Sequence, residues 1–284
     1  MKPLCSLLCA STLLFIVLGC SLITHRAEAL SGLVGSWSFD EDAGTTVYDS
    51  SGNGNNGTLM NGTAWSTGKY GSALTFNGVD SYVEMPNSSI LNNANFTIEA
   101  WIYLAADVEN NTQARIVSKQ QTTRKSCSFD IFGKGYGGST GNQLLLSIGT
   151  GTTWINFLST THLSNQTWYH VAGTHEGTTS KIYIDGHLDK NGTTSTQITD
   201  NAGVLTIGCQ KMTEGFTDAA YFFNGTIDEV RIYNRALSQE EIQGDMAIPE
   251  LPTFLIVPLF IVATLLAVIV SRKKEKLSRA AFAS

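Results

Sequence analysis

The nine residues FTIEAWIYL, Phe96 to Leu104, decide the fold. Laid out with a period of two, Phe96, Ile98, Ala100 and Ile102 share one side, and Thr97, Glu99, Trp101 and Tyr103 share the other, as on a strand packed against a core. Runs of the same kind recur on both sides of it: RIVSK, CSFDIF, QLLLSIG, WINFLST, WYHVAGT, KIYIDG, GVLTIGC and GTIDEVRIY. Between them stand turn-forming pairs, Asp185-Gly186, Asn191-Gly192 and Glu176-Gly177, and a glycine-rich run from Gly133 to Gly141, residues that tolerate tight or left-handed backbone. About a dozen closely spaced strands without a long amphipathic helix predict an all-β, antiparallel two-sheet sandwich or jelly roll. The one helical signal is LSQEEIQ, where Ser238 and Glu241 have the spacing of a capping box; it predicts a single short helix ending near Gly244.

The two ends read differently. Lys2, the apolar run centred on Leu13 to Leu18 and Ala27-Glu28-Ala29 compose a signal peptide over residues 1–29. Val17-Leu18-Gly19-Cys20 offers a second reading, a lipobox that would make a lipidated Cys20 the mature N-terminus. At the far end an apolar run from Leu251 to Val270 is followed by Arg272, Lys273, Lys274 and Lys276. The run is long enough for one transmembrane helix, and the basic residues keep the tail, 271–284, in the cytoplasm with the rest outside. The domain expected between them covers residues 30–244, with a linker over 245–250, which places it at the cell surface on a single-pass anchor. The tail also resembles the three-part sorting tails of archaeal and bacterial surface proteins, with Pro249-Glu250-Leu251 ahead of the span, although Leu251 stands where the best-known motif has an aromatic. That resemblance implies a sortase-type processing enzyme as a partner.

Between Leu30 and Ile248 eleven Lys and Arg face twenty-one Asp and Glu. This acidic balance argues against nucleic acid as a partner and suits cation binding. Only Cys127 and Cys209 fall outside the leader, too few for a disulfide scaffold or a zinc site; they either bridge or stand as separate thiols. Eight N-x-S/T sequons, from Asn56 to Asn224, are compatible with a glycoprotein.

The segments GSWSFDEDAG, VYDSSGNGNNGT, GSALTFNGVDSYVEM, FTIEAWIYL, QTWYHVAGTHEG, SKIYIDGHL, VLTIGC and FNGTIDEVRIYNRALSQEEI follow one another from Leu33 to Ile242. In that order they resemble the laminin-G-like, concanavalin-A-like jelly-roll family. The resemblance implies a sandwich of two curved sheets, a non-enzymatic module that binds carbohydrate or a surface protein, and a structural calcium ion. Its metal candidates are Asp40, Asp49, Asn53 and Asp228. A loop of Asp, Ser, Asn and glycine supplies the oxygens calcium prefers, yet the same residues suit Asx turns. DSSGNG is not an EF-hand loop, because the twelfth position from Asp49 is Met60 rather than Glu.

Catalytic patterns are missing. Glu99 stands alone on its strand and Asp228 and Glu229 are adjacent, whereas glycoside cleavage needs two carboxylates about 5–10 Å apart. No G-x-S-x-G, H-E-x-x-H or Walker loop occurs, and His170 reads as structural. The expectation is therefore a binding module and not an enzyme, with an adhesive envelope protein making homotypic contacts as the alternative and a glycan-active hydrolase as a third reading. Loop aromatics that could stack on sugar are Trp65, Tyr136, Trp154, Tyr221 and Phe222. Trp37, Trp101 and Trp168 lie within strands and are expected in the core.

Overall fold

The computed structural model of the chain describes residues 31–88, 94–110, 112–122, 125–135, 138–149, 153–193, 203–211 and 219–247. The leader, the apolar run 251–270 and the tail lie outside these residues. Among the described residues no helix is long and apolar enough to cross a membrane.

Among the described residues sixteen strands form two antiparallel sheets. Sheet I holds β1 (Leu33–Trp37), β4 (Ala64–Thr67), β5 (Ser72–Asn77), β7 (Phe96–Leu104), β12 (Trp168–Glu176), β13 (Thr179–Ile184), β14 (His187–Thr193) and β16 (Asn224–Tyr233). Its order is β14-β13-β12-β7-β16-β5-β4, and β1 also pairs with β16. Sheet II holds β2 (Thr46–Val47), β3 (Gly57–Met60), β6 (Tyr82–Met85), β8 (Gln113–Thr122), β9 (Lys125–Phe132), β10 (Gln143–Gly149), β11 (Trp154–His162) and β15 (Leu205–Ile207), in the order β11-β10-β9-β8-β15-β6-β3-β2. One apolar core fills the space between them. From sheet I come Trp37, Leu74, Phe76, Ile98, Ile102 and Ile227, and from sheet II Val83, Ile116, Phe129, Ile131, Leu144 and Leu146. At one side the sheets are joined where Asp189 of β14 accepts hydrogen bonds from the backbone of Thr160 and Thr161 of β11.

The alternation of β7 is as expected, with Phe96, Ile98, Ala100 and Ile102 in the core. Its other side is buried as well: Thr97 and Glu99 are fully covered and only Tyr103 is half-buried. The cover comes from the helix α1 (Gln239–Ala247), which lays Ile242 on Ala172, Tyr183, Tyr233 and Leu237. Its capping box forms as the sequence predicts, with Ser238 N donating to Glu241 Oε2 at 2.8 Å and Glu241 N to Ser238 Oγ at 3.2 Å. The helix continues past Gly244 because tertiary contacts hold its last turn. Tyr233 donates to Asp245 Oδ2 at 2.6 Å and Tyr70 to the Met246 carbonyl at 3.1 Å.

Under α1 lies a buried charged cluster. Arg231 is bound by Glu229 at 2.5 Å and stands 3.6 Å from Glu99, whose other oxygen is 3.8 Å from His170. Burial pushes the Glu99 carboxyl well above the carboxylate range, and Asp245 adds to the rise. Burial, helped by Arg231, lowers His170 to about 3, so its ring is neutral and structural as expected. Cys127 and Cys209 are both free thiols. Burial pushes Cys127 up strongly and Cys209 to about 12, which leaves neither as a reactive thiolate near neutral pH.

Trp37 ties the first strand to this framework, being fully buried with its indole N–H on the Asn55 carbonyl at 2.9 Å. Replacing it with Ala should cost about 3–5 kcal/mol, read as a lower denaturant midpoint at an unchanged slope.

Candidate functional site

The outward face of sheet II is built by strand register. Thr58, Glu84, Thr206, Ser118, Ser128, Ser147 and Asn156 stand side by side on β3, β6, β15, β8, β9, β10 and β11. The neighbouring core row on β6, β15, β8, β9, β10 and β11 is Val83, Ile207, Val117, Phe129, Leu146 and Phe157, so the polar row faces away from the core. In the sequence these residues spread from Thr58 to Thr206, and no local pattern links them.

Beside the row sits a buried ion pair. Arg115 of β8 and Asp130 of β9 are opposite each other, 4% and 0% exposed. Arg115 Nη1 donates to Asp130 Oδ2 and to Ser128 Oγ, the latter at 2.7 Å, while Nη2 donates to Gln210 Oε1. Ser128 Oγ donates to the same Asp130 oxygen at 2.9 Å. Among the described residues Arg115 Nε, Asp130 Oδ1 and Ser118 Oγ are buried with no hydrogen-bond partner. An orphaned donor and acceptor in a low-dielectric site are costly unless a ligand or water fills them. Burial pushes the Asp130 carboxyl up to about 6, against the restraint of Arg115 and Ser128.

Aromatic rings border this polar centre. The Arg115 guanidinium lies 5.6 Å from the Tyr221 ring, Tyr82 and Phe222 are a tilted pair at 6.5 Å, and Lys211, ion-paired to Glu84, lies 5.6 Å from Tyr82. Of the aromatics singled out in the sequence, Tyr221 and Phe222 thus belong to this face. Trp154 begins the edge strand β11, and Trp65 sits on the edge strand β4 packed against the core, its indole N–H on the Gly44 carbonyl at 3.0 Å. Tyr136 lies outside the described residues. Trp37 and Trp101 are buried as expected, whereas Trp168 is half-buried on the outward face of sheet I, not in the core. Arg115, Ser118, Asp130 and Tyr82 were not singled out, because buried pairing partners come from different strands.

The metal candidates divide into two places. Asp49 is consumed by its own loop: Oδ1 accepts from Ser36 N and Ser51 N and Oδ2 from Asn55 N, at 2.9–3.0 Å. Asn53 donates to the carbonyls of Leu33 and Val34 at 3.3 Å. Asp40 and Asp228 instead share the turn 68–72, accepting from Ser72 N and Tyr70 N, each at 3.0 Å. Among the described residues Asp228 Oδ1 is buried without a hydrogen-bond partner, and burial, with Asp40 adding to it, raises that carboxyl to about 7. A Cβ on Gly68 would fall 2.5 Å from Asp228 Oδ2 and 2.7 Å from the carbonyl oxygens of Tyr70 and Ser72, so oxygens converge where only glycine fits. Among the described residues no group of three or more His, Cys, Asp or Glu side chains is arranged to hold a metal ion.

This architecture agrees with what known proteins show. The profile of the Concanavalin A-like lectin/glucanases superfamily matches residues 77–243, well over half of the chain, and the protein belongs to that family. Among solved structures it is similar to domain 4 of AbnA, an extracellular GH43 arabinanase of Geobacillus stearothermophilus solved with arabinotriose, with 21% identity and a TM-score of 0.60 over 75% of this chain and 98% of that one. It is also similar to the binding domain of Paraclostridial Mosquitocidal Protein 1 (17%, TM-score 0.61, 77% of this chain) and to that of botulinum neurotoxin DC in complex with rat synaptotagmin II (16%, 0.59, 77%), spanning 52% of each. No curated protein matches the sequence.

The Asp130 carboxyl can be followed directly. Its value in the folded chain, about 6, lies above the ordinary 3.8, so the folded state holds the proton more tightly. Its contribution to stability is then full below the ordinary value and is lost as pH rises through about 6. Carbon NMR of the carboxyl should show a midpoint near 6, and Asp130→Asn should remove this part of the pH dependence of unfolding.

Proposed function

We propose that this protein is a non-enzymatic binding module displayed at a cell surface, and that it takes carbohydrate on the outward face of sheet II. The observation that carries this reading is the buried Arg115–Asp130 pair with Arg115 Nε, Asp130 Oδ1 and Ser118 Oγ unfilled. A donor, an acceptor and a hydroxyl side by side match the donor–acceptor hydroxyls of a sugar, and Tyr221, Phe222 and Tyr82 supply rings next to them. The carbohydrate and receptor-binding neighbours support a binding role, and arabinotriose in one of them supports glycan as the ligand.

A non-catalytic role is supported by the spacing of acids on this face. Asp130 on β9 and Glu84 on β6 are separated by β8 and β15. Three strand spacings amount to about 14 Å, beyond the roughly 5–10 Å that two carboxylates need to cleave a glycosidic bond between them.

A structural calcium ion belongs to the same proposal. Asp40 and Asp228, with the carbonyl oxygens of Tyr70 and Ser72, offer the hard oxygen donors it prefers. Asp49 and Asn53 shape the preceding loop. The ion would neutralise the buried Asp228 together with the exposed Asp40 and brace the turn against β16. Anchoring through residues 251–270, with or without sortase-type exchange of the tail, completes the proposal and rests on the sequence alone.

A glycan array probed with the full chain should show binding that Asp130→Asn and Arg115→Lys weaken by about 10- to 100-fold, the worth of hydrogen bonds to charged groups. Self-association without any glycan bound would favour the homotypic alternative instead. Millimolar calcium should raise the melting temperature, as a ligand specific to the folded state does, and Asp228→Asn should abolish the rise. A wild-type chain whose melting ignores calcium would remove the ion from the proposal.

A further inference from the structure

The opposite surface of the sandwich carries a second arrangement. On the outward face of sheet I, at the end away from α1, strand register aligns Trp168 of β12, Tyr103 of β7, Thr226 of β16, Thr75 of β5 and Ala64 of β4. Trp168, Tyr103, Thr226 and Thr75 are all half-buried, and Ala64 is exposed. The two rings are neighbours, with centroids 5.6 Å apart and planes at 50°. The hydroxyls form a linked chain: Thr75 Oγ1 lies 3.3 Å from Thr226 Oγ1 and donates to Ser66 Oγ at 2.8 Å.

Three features of this row bear on what it is for. Trp and Tyr are large amphipathic side chains that sheets normally bury, and here both are half-buried beside a row of small residues. Among the described residues neither the Trp168 indole N–H nor the Tyr103 hydroxyl is taken up within the protein. The row carries no charged side chain, although the chain as a whole is acidic. A membrane surface or a nucleic acid would call for basic residues here, and a protein hot spot would call for a pocket rather than a level track.

We propose that this row is a second carbohydrate site, a platform on which a neutral polysaccharide chain lies across the strands with sugar rings on Trp168 and Tyr103 and hydroxyls on Thr226, Thr75 and Ser66. From β12 to β4 the track spans four strand spacings, roughly 19 Å, room for a short oligosaccharide segment rather than one sugar. It would hold extended polymer, while the buried centre of sheet II takes individual hydroxyls. Two faces on one module would let it bridge two glycan chains. The site stands apart from the sheet II reading, since the two faces share no side chain.

Affinity electrophoresis of the full chain through arabinan, xylan, mannan and mixed-linkage β-glucan tests it. Run on the Asp130→Asn protein, it reports the platform with the sheet II site impaired. At least one polysaccharide should retard that protein, and adding Trp168→Ala or Tyr103→Ala should weaken the retardation roughly tenfold with unchanged circular dichroism. Thr75→Lys leaves both rings packed and puts a charge into the track; it should weaken retention equally, and it decides the matter if the Trp168 variant does not fold. Retention that survives Trp168→Ala and Thr75→Lys overturns the proposal, as does a wild-type chain that none of the four polymers retards.

Discussion

The pairing of β7 with β16 supports everything else in this molecule. It sets Ile102 against Ile227 and Trp101 against Asp228, residues well over a hundred positions apart, and it puts the last strand of the domain in the middle of sheet I. Contacts of such sequence separation carry a large loop-closure cost before they repay it. Once made, they place β1 and β5 beside β16 and bring the turn 68–72 onto Asp228.

The same pairing explains the charges buried beneath α1. A bulge at Glu229, whose φ is +50°, breaks the alternation of β16 between Asp228 and Arg231. Arg231 thereby comes to face Glu99 while keeping Glu229 as its partner. Such a cluster stabilises little in net terms, since desolvation offsets most of the attraction, but removing one member would leave the others uncompensated. The cluster also touches the end of α1, where Arg231 Nη1 donates to the Asp245 carbonyl and Tyr233 to Asp245 Oδ2.

The two outward faces of the sandwich are covered differently. On sheet I, α1 covers the half containing Glu99, Ala172 and Tyr183 and leaves the half with Trp168 and Tyr103 half-buried. On sheet II the small hydroxyl row lets Arg115 and Asp130 lie flat beside it, and Tyr221 and Phe222 close over its margin.

Strand alternation, turn residues and the capping box were legible from the sequence, because each depends on neighbours within a few positions. FTIEAWIYL reads as a two-faced strand, and Ser238 with Glu241 reads as a helix start; both hold in the structure. Tyr221 and Phe222 could be named as candidates from residue type, and Asp40 and Asp228 from the family resemblance. Which acids share a turn could not, because Asp40 and Asp228 meet through a pairing across the whole chain. For the same reason Arg115 and Asp130 look like ordinary strand residues, and Trp168 looks like core. Local sequence determined that this chain makes short antiparallel strands with one face buried. Only the tertiary structure, through long-range register, decided which outward-facing residues stand together and which of them still reach solvent.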